Sequence, residues 1–509
     1  MRCATVLCAA ALTAATTLGG TTPPPVPDDP RLTAFHQQKI TWGPCPASHP
    51  AVMRCGKLAV PLDHAHPDRG TIELALSRIP ATGPHRLGSL VLNYGGPGQS
   101  GAAGTAERFA RWQDLARSYD MVGFDPRGIA ESSPISCGGA LPLVGTEYMD
   151  ATELLNATEA ANRACESRTG PILHHVGTVD VARDMDVLRA ALGESKLNYV
   201  GASYGTRIGA VYAAEFPRRV GRMVLDGVDT LSKPLTEQAR DVVKGQQLAF
   251  EGFVAWCTAQ PGCVFAGMEP KKAVQQTERL VARLDEAPLR TAAGKEFTGQ
   301  SLAFAIENSL YGTRSWPELA RGLGLLERSG DLTVLAELAE PELDNEGAAL
   351  TVVNCADYTD RGAGDAAAVQ RKLDALLPEF EKASPTFGRG ELSETELCHG
   401  QGRADRFVAD IDHPGAPPML LVGVRNDPAT PYAWTEDMAR RLGSAVVVDY
   451  EGHGHTGYPH STCVKRYVDR FLLTGQLPDG SGGTGDAGGN GAAGGNTVCP
   501  AEEVNAKGE

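Results

Sequence analysis

Apolar runs that do not alternate with polar residues recur along this chain, and stretches with helical spacing lie between them. Residues 197–202 and 222–226 carry no such alternation, as a strand buried on both faces requires. Residues 71–79, 89–94 and 119–124 also read as strands, with a helix expected over 106–118. Val181, Met185, Leu188 and Leu192 mark the buried stripe of a further helix at three- and four-residue spacing. Strand and helix in repetition confine the chain to the α/β class, with a doubly wound, mostly parallel sheet. Parallel neighbours need a long crossover, and a helix supplies it.

The rhythm stops near Asp229. From there to Pro414 the sequence is rich in Ala, Leu, Glu and Arg and reads as helical, before strand-like runs return at 419–424 and 445–450. The expected organisation is a first core part at 31–228, a helical lid at 229–414 and a second core part at 415–478. A Gly-rich, flexible tail at 479–509 follows, too polar to pack.

Residues 1–30 read as a signal peptide and linker: Arg2, an apolar run from Cys3 to Leu18, then a Gly/Thr/Pro-rich stretch. Cys8 lies too near the start to leave a working apolar region before a lipid-anchor site, so a secreted protein is expected. No later stretch is apolar and long enough to span a bilayer. Of twelve cysteines, ten follow the leader as sequence neighbours: Cys45 and Cys55, Cys137 and Cys165, Cys257 and Cys263, Cys355 and Cys398, Cys463 and Cys499. An even count without C-x-x-C reads as disulfides of an oxidising compartment, and sequential pairing is the simplest connectivity. Zinc would want close Cys/His pairs, which the spacings lack, so no metal or cofactor is expected. The formal net charge of −15 argues against nucleic acid or an anionic membrane as partner, and a monomer is expected.

Gly201-Ala202-Ser203-Tyr204-Gly205 follows one of the buried strands and leads into a helix. A serine on such a tight strand-to-helix turn is exposed as a nucleophile, with glycines giving the turn room. Serine needs a base, and the base an orienting acid; in the α/β-hydrolases, whose nucleophile turn this segment resembles, the chain order is Ser, Asp/Glu, His. Asp427, in the turn 425–431 after a late strand, is the acid candidate. Only His453, His455 and His460 lie beyond it, and order alone leaves all three open. Acyl transfer also needs oxyanion donors. The Tyr204 N–H is one, and the other comes from Gly95 or Gly96 in the loop after an early strand, since Pro97 has no N–H.

Gly95-Gly96-Pro97-Gly98, Asp125-Pro126-Arg127-Gly128, the segment 201–206 and Val224-Leu225-Asp226-Gly227 together resemble the secreted tripeptidyl aminopeptidases of actinobacteria. These are α/β-hydrolases related to prolyl aminopeptidases. The likeness runs from Cys55-Gly56 to the end, where Gly454-His455-Thr456-Gly457-Tyr458, Cys463-Val464, Leu477-Pro478 and Cys499 match the family's terminal block. The resemblance selects His455 as the base. It implies an α/β-hydrolase fold with a large helical lid, and a peptidase that releases tripeptides or single residues from peptide substrates with a free amino terminus. A substrate ammonium calls for an acid at the far end of the cleft, and Asp357 is the candidate. The sequence departs from the family after Cys398, where His399-Gly400-Gln401-Gly402 replaces a tryptophan and proline. A carboxylesterase or lipase would use the same triad and is the main alternative. A non-catalytic binding protein on this scaffold would usually lack one triad member, and here all three types stand in order.

Overall fold

The computed structural model describes residues 29–47, 49–139, 150–231, 233–340, 345–401, 404, 406–478 and 496–505. The expected leader at 1–30, with Cys3 and Cys8, therefore lies almost wholly outside the described residues. The sheet begins with β1 (Gly43–Pro44), β2 (Arg54–Pro61), β3 (Thr71–Ile79), β4 (Gly88–Asn93), β5 (Tyr119–Phe124), β6 (Leu197–Ala202) and β7 (Val220–Asp226). A separate ribbon of β8 (Leu289–Arg290) and β9 (Glu296–Phe297) follows. Then come β10 (Leu420–Asn426), β11 (Val446–His453) and β12 (Thr497–Cys499). Among the described residues the main sheet has ten strands, in the order β1-β2-β3-β5-β4-β6-β7-β10-β11-β12. From β5 to β12 all neighbours are parallel, and β1, β2 and β3 form an antiparallel edge.

The unalternating runs have their cause in the two covered faces. Val91 packs with Met185 and Leu188 of helix Thr178–Ala191 and Ile208 of helix Tyr204–Glu215. Its neighbours Leu90 and Leu92 join Val464, Val468 and Phe471 of helix Thr462–Thr474 on the other face. Successive strand residues point to opposite faces, so a sheet covered twice needs apolar residues at every position.

Two expectations need correcting. The helix expected over 106–118 is Gly101–Glu107, capped by the Ser100 side chain, which accepts the Ala103 N–H at 3.0 Å. After it, the turns Phe109–Trp112 and Leu115–Arg117 bury Trp112, Leu115 and Ala116 without helical continuity. The flexible tail expected over 479–509 is likewise interrupted, because Thr497–Cys499 adds β12 to the sheet edge, Tyr450 pairing with Cys499. The Cys463–Cys499 disulfide brings that short segment back to β11, a tether that composition does not reveal. All five sequential disulfides are formed.

Between β7 and β10 the chain is mainly helical. Helices Leu235–Ala259, Pro270–Glu286, Gly299–Leu310 and Trp316–Ser329 share a core that includes Phe250, Phe253, Ile306 and Trp316. Helix Ala366–Ala383 packs instead with Ala151–Thr169, through Leu154, Val369 and Leu373. Helix Asn345–Asp357 gives Ala348, Ala349, Val352 and Val353 to the core of the sheet itself. Among the described residues no helix is long and apolar enough to cross a membrane.

Candidate active site

Ser203 stands between β6 and helix Tyr204–Glu215 with φ 54° and ψ −126°, a conformation uncommon for a residue with a side chain. Its amide donates to the Asp226 carbonyl at 2.9 Å, and its own carbonyl accepts the Thr206 N–H at 2.8 Å. A Cβ on Gly201 would lie 2.3 Å from the Gly205 carbonyl, and one on Gly205 2.7 Å from Asn93 Oδ1. The turn is tight enough to demand both glycines.

Asp427 follows β10 and is 1% exposed. One oxygen accepts the N–H groups of Ala429 at 2.9 Å and Thr430 at 2.8 Å, and the other accepts the Thr430 hydroxyl at 2.9 Å. The same carboxylate meets His455 Nδ1 at 2.9 and 3.0 Å. An ionised Asp427 makes Nδ1 the donor, which leaves Nε2 as the basic nitrogen. Burial opposes protonation of His455. The charge and hydrogen bond of Asp427, with the charges of Asp226 and Asp229, outweigh it and raise its pKa above the ordinary 6.5. The His455 amide donates to the Tyr311 carbonyl at 2.9 Å, and the two rings meet edge-on at 5.2 Å.

The other two histidines do other things. His453 packs edge-on against Trp316 at 5.2 Å, its Nδ1 has no hydrogen-bond partner, and burial lowers its pKa. Burial, with the charges of Arg111, His455 and Arg314, takes His460 down to about 4. Among the three left open by chain order, the ring that meets Asp427 is His455.

Of the two glycines expected as donors, Gly95 is corrected. Its N–H is engaged by Asn93 Oδ1 at 3.0 Å, an Asx turn two residues long. Gly95 supplies space instead, since a Cβ there would fall 2.8 Å from Ser203 Cβ. Gly96, in the loop after β4, and Tyr204, the residue after the serine, stay as the expected donors.

Asp357 is also corrected. It is 5% exposed, and its carboxylate accepts the Thr178 N–H at 2.8 Å and Arg207 at 3.2 Å. Arg207 sits on the elbow helix and holds Asp229 at 2.7 Å as well. Its oxygens are thus engaged by a helix start and a guanidinium, a structural role that the sequence reading did not include.

Three other acids lie together on two helices of the insertion. Glu307, on helix Gly299–Leu310, and Glu391 and Glu394, on helix Gly388–Glu394, are half-buried and close together. Burial raises the pKa of each, and mutual repulsion adds to it for Glu307 and Glu394. Gln246 donates to Glu391 at 2.7 Å, and its Oε1 has no partner. The preceding Gly245 rests on the loop of Asp427, where a Cβ would lie 2.8 Å from that residue's carbonyl. Glu307 precedes Tyr311 by four residues, one helical turn on the same side, and Tyr311 covers His455. In sequence these glutamates look like any solvated helix face. Among the described residues no group of three or more His, Cys, Asp or Glu side chains is placed to hold a metal ion.

Residues 88–460 match the sequence profile of the alpha/beta hydrolase fold. The chain belongs to that family and is a serine hydrolase of its tripeptidyl-aminopeptidase-like branch. Over 476 residues it is 36% identical to the serine protease Hip1 of Mycobacterium tuberculosis, covering 87% of this chain and 90% of that protein. It is 33% identical over 463 residues to a tripeptidyl aminopeptidase of Streptomyces lividans, covering 86% and 85%. A carboxylesterase B of Mycobacterium tuberculosis is 31% identical over 458 residues, covering 84% and 85%.

Proposed function

We propose that this protein is an exported aminopeptidase that releases short N-terminal peptides through an acyl-enzyme on Ser203. Ser203 Oγ attacks the scissile carbonyl while its proton passes to His455 Nε2, and Asp427 holds the imidazolium by its Nδ1–H. The N–H groups of Tyr204 and Gly96 receive the oxyanion. Collapse breaks the C–N bond as His455 returns the proton to the leaving amine. Water, deprotonated by the same imidazole, then hydrolyses the ester and restores Ser203. The helical segments between residues 229 and 414 serve as lid, and Glu307, Glu391 and Glu394 take the substrate ammonium in place of Asp357. An exported enzyme accords with five disulfides and with a signal peptide in residues 1–30.

The observation that carries this reading is the pairing of His455 with Asp427 beside the elbow, and the gathering of Glu307, Glu391 and Glu394 on two helices of the insertion supports the amine-binding part. A charge-assisted hydrogen bond is worth roughly 1.5–3 kcal/mol, and a decade of rate about 1.36 kcal/mol, so acetylating the amine should lower kcat/KM by about one to two decades. The test is a chromogenic panel of free tripeptide, acetylated tripeptide, single aminoacyl and short-chain ester. Equal rates on free and acetylated peptides would defeat the aminopeptidase reading. Turnover of the ester with none of either tripeptide would favour the esterase reading, which the carboxylesterase relative supports.

A further inference from the structure

Asp226, the last residue of β7, touches both halves of the catalytic constellation. Its carbonyl accepts the Ser203 N–H at 2.9 Å, while its carboxylate takes the N–H groups of Gly457 at 2.7 Å and Tyr458 at 2.8 Å. Gly457 and Tyr458 are the second and third residues after His455. The next residue, Gly227, donates to the Val422 carbonyl of β10 at 3.0 Å, and a Cβ on it would stand 3.4 Å from His455 Cε1. Asp226 is 2% exposed. Burial pushes its pKa up to about 6, although both N–H bonds pull it down. An ionised carboxylate in that interior is costly, and two backbone N–H groups ask only for neutral acceptors. The site therefore calls for a reason to keep a charge.

We propose that Asp226 is a positioning residue whose carboxylate clamps the 455–458 loop to the strand that also anchors Ser203, and so sets His455 over the nucleophile. The proposal rests on the assignment of Ser203 as nucleophile and His455 as base. Asp226 acts through their backbones and touches no reacting atom. Its loss has two separable effects. An asparagine keeps one oxygen for one N–H but turns its own NH2 against the other, which displaces the loop. It also removes a charge that supports the imidazolium, alongside Asp427 after β10 and Asp229 after β7. His460, on the same loop, is the other titratable ring beside His455.

The experiment compares wild type, Asp226→Asn and Asp226→Glu for kcat, KM, the pH profile of kcat/KM and labelling of Ser203 by a fluorophosphonate. Misplacement of about an ångström costs on the order of 100-fold, so kcat of Asp226→Asn should fall about 10- to 100-fold with KM unchanged. Its acid limb should move to lower pH, because His455 loses a neighbouring negative charge. Asp226→Glu keeps the charge and should lose rate with the limb in place. Wild-type kcat in Asp226→Asn, or a slower enzyme whose limb has not moved, would overturn the proposal. An unlabelled wild type would instead overturn the assignment of Ser203. Should the variants not fold, amide exchange in the wild type decides. Gly457 and Tyr458 should both be protected at about pH 8, and by about pH 5 at least one should lose protection while the sheet keeps its own, because a protonated carboxyl keeps one carbonyl oxygen for a single N–H. Equal protection at both would refute the clamp.

Discussion

His453 and His455 are separated by one glycine, yet their neighbours give them opposite chemistry. One ring packs on Trp316 without a partner for Nδ1, and the other is held by a buried carboxylate. His455→Ala should therefore abolish turnover, and Ser203→Ala should cost on the order of a million-fold with the fold intact. His453→Ala should leave kcat little changed while costing about 1–3 kcal/mol of stability, read by denaturant unfolding. A dead His453→Ala enzyme would reverse the assignment. Because the base must be neutral, and its pKa lies above 6.5, activity should rise with pH on the alkaline side of that value. Asp427→Asn should shift this limb downward as well as lowering kcat. The elbow and the Asp427 turn are legible in sequence because strand, turn and cap are local. The histidine is not, since pairing across the loops after β10 and β11 depends on how those strands register, and only family resemblance picks it out. Asn93 stands two residues before Gly95, and its side-chain bond to that N–H, which sequence does not disclose, leaves Gly96 as the expected donor. The ion pair of Asp357 is not legible in sequence, because its partner Arg207 lies 150 residues away.

Helix Asn345–Asp357 links the helical insertion to the loop after β4 that carries Gly96 and Gly98. Near one end, the Glu346 backbone presses on Gly98, where a Cβ would meet its carbonyl at 2.7 Å. At the other, Cys355 is bonded to Cys398 across 43 residues. Closing a loop of that length contributes about 3–4 kcal/mol by chain entropy. The paired change Cys355→Ser and Cys398→Ser should lose about that much in denaturant unfolding and should slow kcat, because the loop carrying Gly96 loses its backing. Unchanged stability would show that the bridge is dispensable. At this scale the buried strands are legible, since two covered faces leave an unbroken apolar signature. The cap is legible only as helical composition. Which of its helices pack on the sheet, as Asn345–Asp357 does through Val352 and Val353, depends on contacts distant in sequence.

The formal charge of −15 is spread over the whole molecule, but the cap concentrates acid where solvent is scarce, at Glu307, Glu391 and Glu394. A carboxyl whose pKa is raised on folding contributes stability that is complete below its unfolded value, here 4.5, and is lost as pH rises through the folded value. Asp186 runs the other way. Burial opposes its ionisation, yet His36 and Arg189 bring it down to about 2, so its contribution is lost only in strong acid. The thermal midpoint should thus be highest in mild acid and fall toward alkaline pH as the cap carboxylates ionise. Overall self-repulsion adds to the same slope, so the wild type alone cannot apportion it. Glu307→Gln isolates the cluster: its midpoint should match wild type near the unfolded glutamate pKa and exceed it at alkaline pH. A cation that enters the cap replaces the missing protons. In Ser203→Ala, a free-amine tripeptide at about 100 times its Kd should stabilise by roughly 2.7 kcal/mol, and the acetylated peptide by much less. The difference should widen with pH until the peptide amine itself deprotonates, and Glu307→Gln should reduce it. Equal stabilisation by both peptides, or a Glu307→Gln midpoint that tracks wild type at every pH, would remove the cap glutamates from amine recognition.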